Sequence, residues 1–290
     1  MEIDYNREKR EMFISQHKYI EETANMFGQT QARSTSNPCD SSMKLSGNDS
    51  PKNEAEKETM SRTPYRQLLG RLLFVVTTTR PDAAYSLSQL GRFADNPGPK
   101  HWKALIRVLR YLYSTSNLGL HYGSENQLLT AYSDADWGSN LDDRRSVSGV
   151  LLMLNGGPVV FKSKYQRTVA LSTSEAEYMA LSMCTQDVLW VRTMLADLGF
   201  EQKKSTVIWE DNQGAIALAT NPGYHARTKH VDIRHHFIRE KVLNGDIRVM
   251  YKETEHQLAD ILTKALGTKR LQYLHTAMGI MEHKKREQQQ

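Results

Sequence analysis

Cysteine is nearly absent from this sequence: 290 residues hold two, Cys39 in a polar stretch and Cys184 in an apolar helical pattern. Two thiols so far apart give neither a disulfide framework nor a thiolate zinc site, so a reducing compartment is the default expectation. Long apolar runs are missing too. The longest clusters, residues 72–76 and 150–154, fall well short of the roughly 18 residues of a membrane span. The start, Met1-Glu2-Ile3-Asp4, lacks the basic-then-apolar order of a signal peptide. What is present is ordinary for a soluble domain: 39% hydrophobic and 24% charged residues, with a net charge of +5. That mild basic excess is compatible with a polyanionic partner without requiring one.

Along the chain, residues 1–3 and 12–14 read as short strands around a polar turn, and 19–27 as a short helix. Residues 28–61 are polar and irregular and read as a linker or exposed loop. Residues 65–76, 83–93 and 100–113 read as three helices. The last is amphipathic, with Trp102, Leu105, Ile106, Leu109, Leu112 and Tyr113 at helical spacing and Lys100, Lys103, Arg107 and Arg110 on another face. Residues 61–110 carry nine Lys or Arg against two Asp or Glu, a local basic surface suited to phosphate contact. After Gly123 the pattern changes to strands at 128–133, 147–154 and 158–162, with Asn155-Gly156-Gly157 as a hairpin signal. A long helix with a stripe through Ala176, Ala180, Met183, Cys184, Val188, Val191 and Leu195 follows, closed by Gly199. Then come a strand at 207–209, helices at 215–219 and 231–243, a strand at 247–251 and a helix at 256–266. Hairpins followed by strand–helix alternation imply an α/β fold with a mixed sheet covered by helices.

Four acids fall at the edges of these elements. Asp134 ends the first strand of the second half, Glu177 lies at the start of the long helix, Asp211 follows the fourth strand, and Asp260 sits in the helix after the fifth. Adjacent strand ends gather such residues. Clustered carboxylates repel one another and call for a cation, and hard oxygen ligands suit Mg²⁺ or Mn²⁺. Two such ions can activate water for phosphodiester hydrolysis. Taken singly, each acid has a plainer role as a turn or helix-dipole residue; the joint arrangement carries the chemistry.

Several segments resemble the C-terminal part of copia-type retrotransposon Pol polyproteins: residues 132–138, 145–149, 172–178, 211–216, 227–240 and 259–264, in that order. The likeness extends upstream through 16–20, 63–66, 79–82 and 101–112. It implies 1–30 as the end of a reverse transcriptase palm, 31–61 as a polar linker, 62–123 as a helical thumb or connection-like segment, and 127–290 as a ribonuclease H-like domain. That domain is expected to be a mixed five-stranded sheet with flanking helices. By the same resemblance Asp134, Glu177, Asp211 and Asp260 are the catalytic acids that hold two Mg²⁺ or Mn²⁺ ions. Asp136, two residues along the strand, would assist, and Glu175 is a weaker alternative to Glu177. The family cleaves the RNA strand of RNA–DNA hybrids.

Asp142-Asp143 has polar flanks and reads as a turn rather than as a polymerase's paired aspartates, so most of a palm would precede Met1 and no polymerisation is expected. Lys229, His230, Arg234 and Arg239 suit phosphate or hybrid contact better than zinc, and His256 is placed to shuttle protons near Asp260. The expected partners are an RNA–DNA hybrid, the missing palm and other retrotransposon proteins, with no membrane. The expected location is cytoplasmic, in a virus-like particle for an active element, or nuclear. The competing readings are a catalytically inactive nucleic-acid-binding remnant and an interaction protein acting through residues 28–61 and 282–290.

Overall fold

A computed structural model describes residues 1–123, 128–221 and 229–283, with the backbone alone for 229–235. The chain divides into two compact units, Met1–Ser124 with Ala265–Gln290, and Glu125–Lys264.

The first unit opens on a hairpin of β1 (Glu2–Asn6) and β2 (Glu11–Ser15), then α1 (His17–Met26). Helices α2 (Glu54–Ser61), α3 (Tyr65–Val76), α4 (Ala84–Gly91) and α5 (Pro99–Ser114) follow, then strand β3 (Leu118–Tyr122). Leu68, Leu72, Val75, Leu87, Leu90, Leu105, Leu109 and Leu112 are almost fully buried, the helical spacing having turned those residues inward. Inside this core Arg80 pairs with Asp82 at 2.7 Å, and Tyr111 and Thr115 complete the hydrogen bonding. Burial opposes the Asp82 charge, but the Arg80 guanidinium holds its carboxyl well below the usual range.

Two expectations change here. Residues 28–61 are not an open linker: Arg107 donates to Asn37 at 2.5 Å, Arg110 to Gln29 at 2.8 Å, and Lys100 to the Lys44 carbonyl at 2.7 Å and to Asp49 at 3.1 Å. The His101 ring stacks on Phe93 and its Nε2 lies 3.1 Å from the Ser46 carbonyl. A segment poor in apolar residues thus packs through polar contacts, which hydrophobic periodicity does not register. The second change concerns the C-terminus, expected from sequence to belong to the 127–290 domain but placed in the first unit. Helix α9 (Thr268–Ala277) and strand β9 (Ile280–Glu282) build into the first unit, because β9 pairs with β3 (Leu120 opposite Ile280) and completes the sheet β1-β2-β3-β9.

The second unit is the mixed five-stranded sheet with flanking helices that the sequence implies. Its strands are β4 (Thr130–Asp136), β5 (Val147–Leu154), β6 (Gly157–Tyr165), β7 (Thr206–Glu210) and β8 (Ile247–Tyr251), in spatial order β6-β5-β4-β7-β8. The first three form an antiparallel meander, with Asn155 (φ 54°) and Gly156 (φ 86°) making the β5–β6 turn. β7 runs parallel to β4 and β8 parallel to β7. Parallel neighbours need crossovers, supplied by α6 (Thr173–Asp197) and by α7 (Gln213–Thr220) with α8 (Lys229–Leu243). Tyr178, Leu181, Cys184, Val188, Val191 and Leu195 of α6 pack with Ala131, Val150, Leu152, Ile208, Ile247 and Val249 of the sheet. After β8 the chain does not form the α-helix expected over 256–266. It makes two 3₁₀ turns, Thr254–His256 and Leu258–Leu262, because buried Gln257 takes non-helical dihedrals between them and turns its side chain to the sheet.

Candidate metal centre

β4 lies at the centre of the second sheet, so the segments beyond its C-terminal end come from both neighbours. The β4–β7 register pairs Ala131 with Ile208 and Tyr132 with Trp209. Continued two residues, it sets Asp134 beside Asp211. Glu177 arrives from α6. That helix starts at Thr173, where the Ser172 hydroxyl accepts from the Glu175 amide and the Glu175 carboxylate accepts from the Leu171 amide. Glu175 is therefore a capping residue. Glu177, expected in the first turn, lies one turn further in and is buried. The Ser174 hydroxyl contacts Asn212 Oδ1 at 3.2 Å, and that oxygen also caps α7 through the Ala215 amide at 3.0 Å, tying the start of α6 to the segment carrying Asp211.

Oxygen atoms of Asp134, Glu177 and Asp211 all lie within 4.8 Å of one another. Asp260 comes from the 3₁₀ turn Leu258–Leu262, which folds over the sheet at β4 and β5. Gln257 Nε2 donates to the Ser133 carbonyl at 3.0 Å and to the Trp209 carbonyl at 3.4 Å. Gly149, opposite Asp134 in the β4–β5 register, leaves room for the turn: a Cβ there would stand 2.7 Å from Thr263 Cγ2 and 3.0 Å from the Ala259 carbonyl oxygen. Asp260 is buried but does not join the three-acid group directly. Lys264 stands between, its Nζ 2.6 Å from Asp260 Oδ1 and 3.2 Å from Asp134 Oδ1. Thr263 donates its hydroxyl to the other Asp134 oxygen, and Thr254 donates to Asp211 Oδ2 at 2.7 Å.

The structure adds a further acid to the site, Glu210, which no sequence motif marks. Glu210, at the end of β7, is fully buried; its carboxylate accepts from the Ser133 hydroxyl at 2.6 Å and the Asn212 amide at 3.2 Å. Its position inside a strand gave no chemical cue, and only its place beside Asp211 set it apart. Burial and the charges of Glu210, Asp134 and Asp211 push the Glu177 carboxyl up to about 11. Burial and Asp260 raise Asp134 to about 6 against the pull of Lys264 and Thr263. Burial weakens the Lys264 ammonium, but Asp134 and Asp260 together hold its pKa well above the ordinary lysine value. One Glu177 oxygen, Oε2, is buried with no hydrogen-bond partner. A buried acceptor left unmet costs about 1–3 kcal/mol, and a carboxylate costs more.

The other expected site residues fall elsewhere. Asp136 is half-buried at the end of β4, and burial raises its carboxyl. Among the basic residues, Lys100, Arg107 and Arg110 make the contacts with residues 28–61 given above, whereas Lys103 is exposed. Arg239 donates to the Leu218 carbonyl at 3.0 Å and so links α8 to α7. The side chains of Lys229, His230 and Arg234, and residues 284–290, lie outside the described residues. His256 lies in the earlier 3₁₀ turn, 3.7 Å from Glu255, not one helical turn from Asp260. Asp142 and Asp143 lie in the β4–β5 connection, where Asp143 accepts from Asn140 and meets Arg145 at 3.4 Å.

No family model matches the chain. It is 38% identical over 280 residues, 97% of its length, to the retrovirus-related Pol polyprotein from transposon TNT 1-94 of Nicotiana tabacum. It is 34% identical over 281 residues to the Pol polyprotein from transposon RE2 of Arabidopsis thaliana. This chain belongs to the copia-type retrotransposon Pol polyprotein family. It spans about a fifth of those relatives, 21% and 19% of their lengths. Among solved structures, an RNase H1 isolated from compost aligns with 47% of the chain and 93% of its own length, at 16% identity and a TM-score of 0.37. Within this Pol chain the Glu125–Lys264 unit carries the ribonuclease H-like mixed five-stranded sheet expected from the sequence.

Proposed function

We propose that the Glu125–Lys264 unit is a ribonuclease H that cuts the RNA strand of RNA–DNA hybrids with Mg²⁺ or Mn²⁺ held by its acids. The observation that carries this reading is the convergence of Asp134, Glu177 and Asp211 within 4.8 Å, with Glu177 Oε2 buried and unpartnered. An all-oxygen donor set fits a hard divalent cation, and such an ion would relieve the repulsion that the fold alone leaves in place. When bound, two ions activate a water and neutralise charge on the scissile phosphate. The chain's own groups prepare for this. Asp134 and Asp211 are oriented by the Thr263 and Thr254 hydroxyls, and the Gln257 amide locks the Asp260 turn to β4 and β7. Lys103 and the Lys229–Arg239 stretch of α8 are the proposed contacts to nucleic acid phosphates, and the substrate itself rests on family membership together with this geometry.

The test is a labelled RNA–DNA hybrid incubated with the chain in Mg²⁺ and in Mn²⁺, beside double-stranded RNA and DNA, with Asp134→Asn in parallel. Cleavage confined to the RNA strand of the hybrid and lost in the variant is the expected result. Hybrid binding without cleavage in either metal replaces the enzyme with a binding remnant.

A further inference from the structure

The four acids do not meet on equal terms. Asp134, Glu177 and Asp211 face one another directly, whereas Asp260 is bridged to Asp134 by an ammonium group. Lys264 Nζ touches Asp260 Oδ1 and Asp134 Oδ1 at 2.6 and 3.2 Å, and its side chain keeps 36% of its surface exposed. The head group is thus drawn inward while the chain behind it leads to solvent, an arrangement open to withdrawal. Asp134 is the shared member: Oδ2 accepts from Thr263, and Oδ1 accepts from Lys264. A positive group set between two buried carboxylates holds the place that a hard cation would take between the same oxygens.

We propose that Lys264 is a tethered cation that guards the Asp134–Asp260 half of the site. The chain alone takes up one divalent ion tightly, on the Asp134, Glu177 and Asp211 side, and admits a second only as the ammonium withdraws. The inference rests on the two-ion reading given under Proposed function. It also assigns the withdrawn ammonium a partner, since a phosphate entering the site brings the negative charge that can both draw Lys264 away and help to hold the second ion. Lys264 is on this view a positioning residue that makes the second ion follow the substrate.

The test is Mn²⁺ binding to the full chain, read by calorimetry and by electron paramagnetic resonance without nucleic acid. Wild type is expected to bind one ion tightly and a second more weakly. Lys264→Met tightens the second on the order of tenfold or more, as expected from removing an adjacent like charge. Lys264→Arg keeps the wild-type pattern, and adding Asp260→Asn to Lys264→Met removes the gain. Equal second-ion affinity in wild type and Lys264→Met, both folded by circular dichroism, overturns the guard and leaves the two-ion reading standing. Absence of Mn²⁺ binding in both, or binding unaltered by Asp134→Asn, overturns the two-ion reading and the guard with it. Should Lys264→Met not fold, wild type still decides. Acetic anhydride labelling of Lys264, followed by mass spectrometry, is expected to rise over the second-ion range, and a flat response overturns the guard.

Discussion

Replacing Asp134 by Asn is expected to stabilise the protein at alkaline pH while abolishing its chemistry. Asp134 is buried to 1% exposure, and its carboxyl titrates near 6 instead of the ordinary 3.8. Burial is the main cause, and the Asp260 and Asp211 charges add to it, even after the help of Lys264 and Thr263. A carboxyl whose pKa is higher in the folded state carries no penalty below the unfolded value. It loses stability as pH rises through the folded value and stays at the reduced level above it. The difference between 3.8 and about 6 corresponds to ~3 kcal/mol above both values. At about pH 5 roughly half of that penalty has developed. Glu177, raised to about 11, adds a penalty of the same sign through neutral pH. For a domain of this size ~3 kcal/mol is a melting shift of roughly 5–10 °C. The assay is thermal unfolding of wild type and Asp134→Asn from about pH 5 to about pH 8.5, in chelator and in Mn²⁺. In chelator the variant melts higher at pH 8 and the gap narrows toward pH 5. In Mn²⁺ a hundredfold above its Kd, wild type gains about 2.7 kcal/mol that the variant lacks, and the two curves draw together. A variant that melts below wild type at pH 8 in chelator, or a gap that ignores pH, refutes the argument that these acids are held together against their own repulsion.

Other substitutions separate packing from chemistry. Glu175→Ala removes the carboxylate that caps the Leu171 amide and costs about 1 kcal/mol with hybrid cleavage retained, whereas Glu177→Gln abolishes cleavage; parallel urea melts and nuclease assays distinguish the two acids. Gly149→Ala drives a Cβ into Thr263 and the Ala259 carbonyl, costs about 1–3 kcal/mol and weakens Mn²⁺ binding by lifting the Asp260 turn, as calorimetry will show. In the first unit, Arg80→Met takes the guanidinium from the fully buried Asp82 carboxylate and leaves it Tyr111 and His275; the expected cost is about 3–5 kcal/mol in a urea melt.

How far the sequence reveals this arrangement depends on the kind of signal. β5 and β8 have the ranges expected from their apolar runs, and α6 shows its stripe, because burial against a sheet demands regular periodicity. The Asn155-Gly156 turn is legible because few residues other than Asn and Gly take positive φ. Asp134, Glu177 and Asp211 could be singled out by their place at element ends, and the structure brings those three together. Residues 28–61 resemble a linker in sequence because their contacts to Lys100, His101, Arg107 and Arg110 are made by amides, carbonyls and carboxylates, which leave no periodic trace. The same contacts change the meaning of the basic stripe on α5: three of its four cations already have partners inside the unit, so charge counting overstated the surface free for phosphate.

The segment after β8 shows most clearly how local geometry decides what a motif means. As a continuous α-helix over 256–266, it would place Asp260 and Lys264 one turn apart, an ordinary exposed pair worth about 0.3–0.5 kcal/mol. As a 3₁₀ turn started by Gln257, it directs both side chains toward β4, where Lys264 meets Asp134 from 130 positions along the chain. The cue for that change is the glutamine, whose amide finds two sheet carbonyls, together with Gly149, which has no side chain to keep the turn away. Neither residue is an acid or a base, and Gly149 stands far from Asp260 in the sequence. The acids of the site were therefore visible as residues, while the lysine that divides them was visible only after the backbone had been placed.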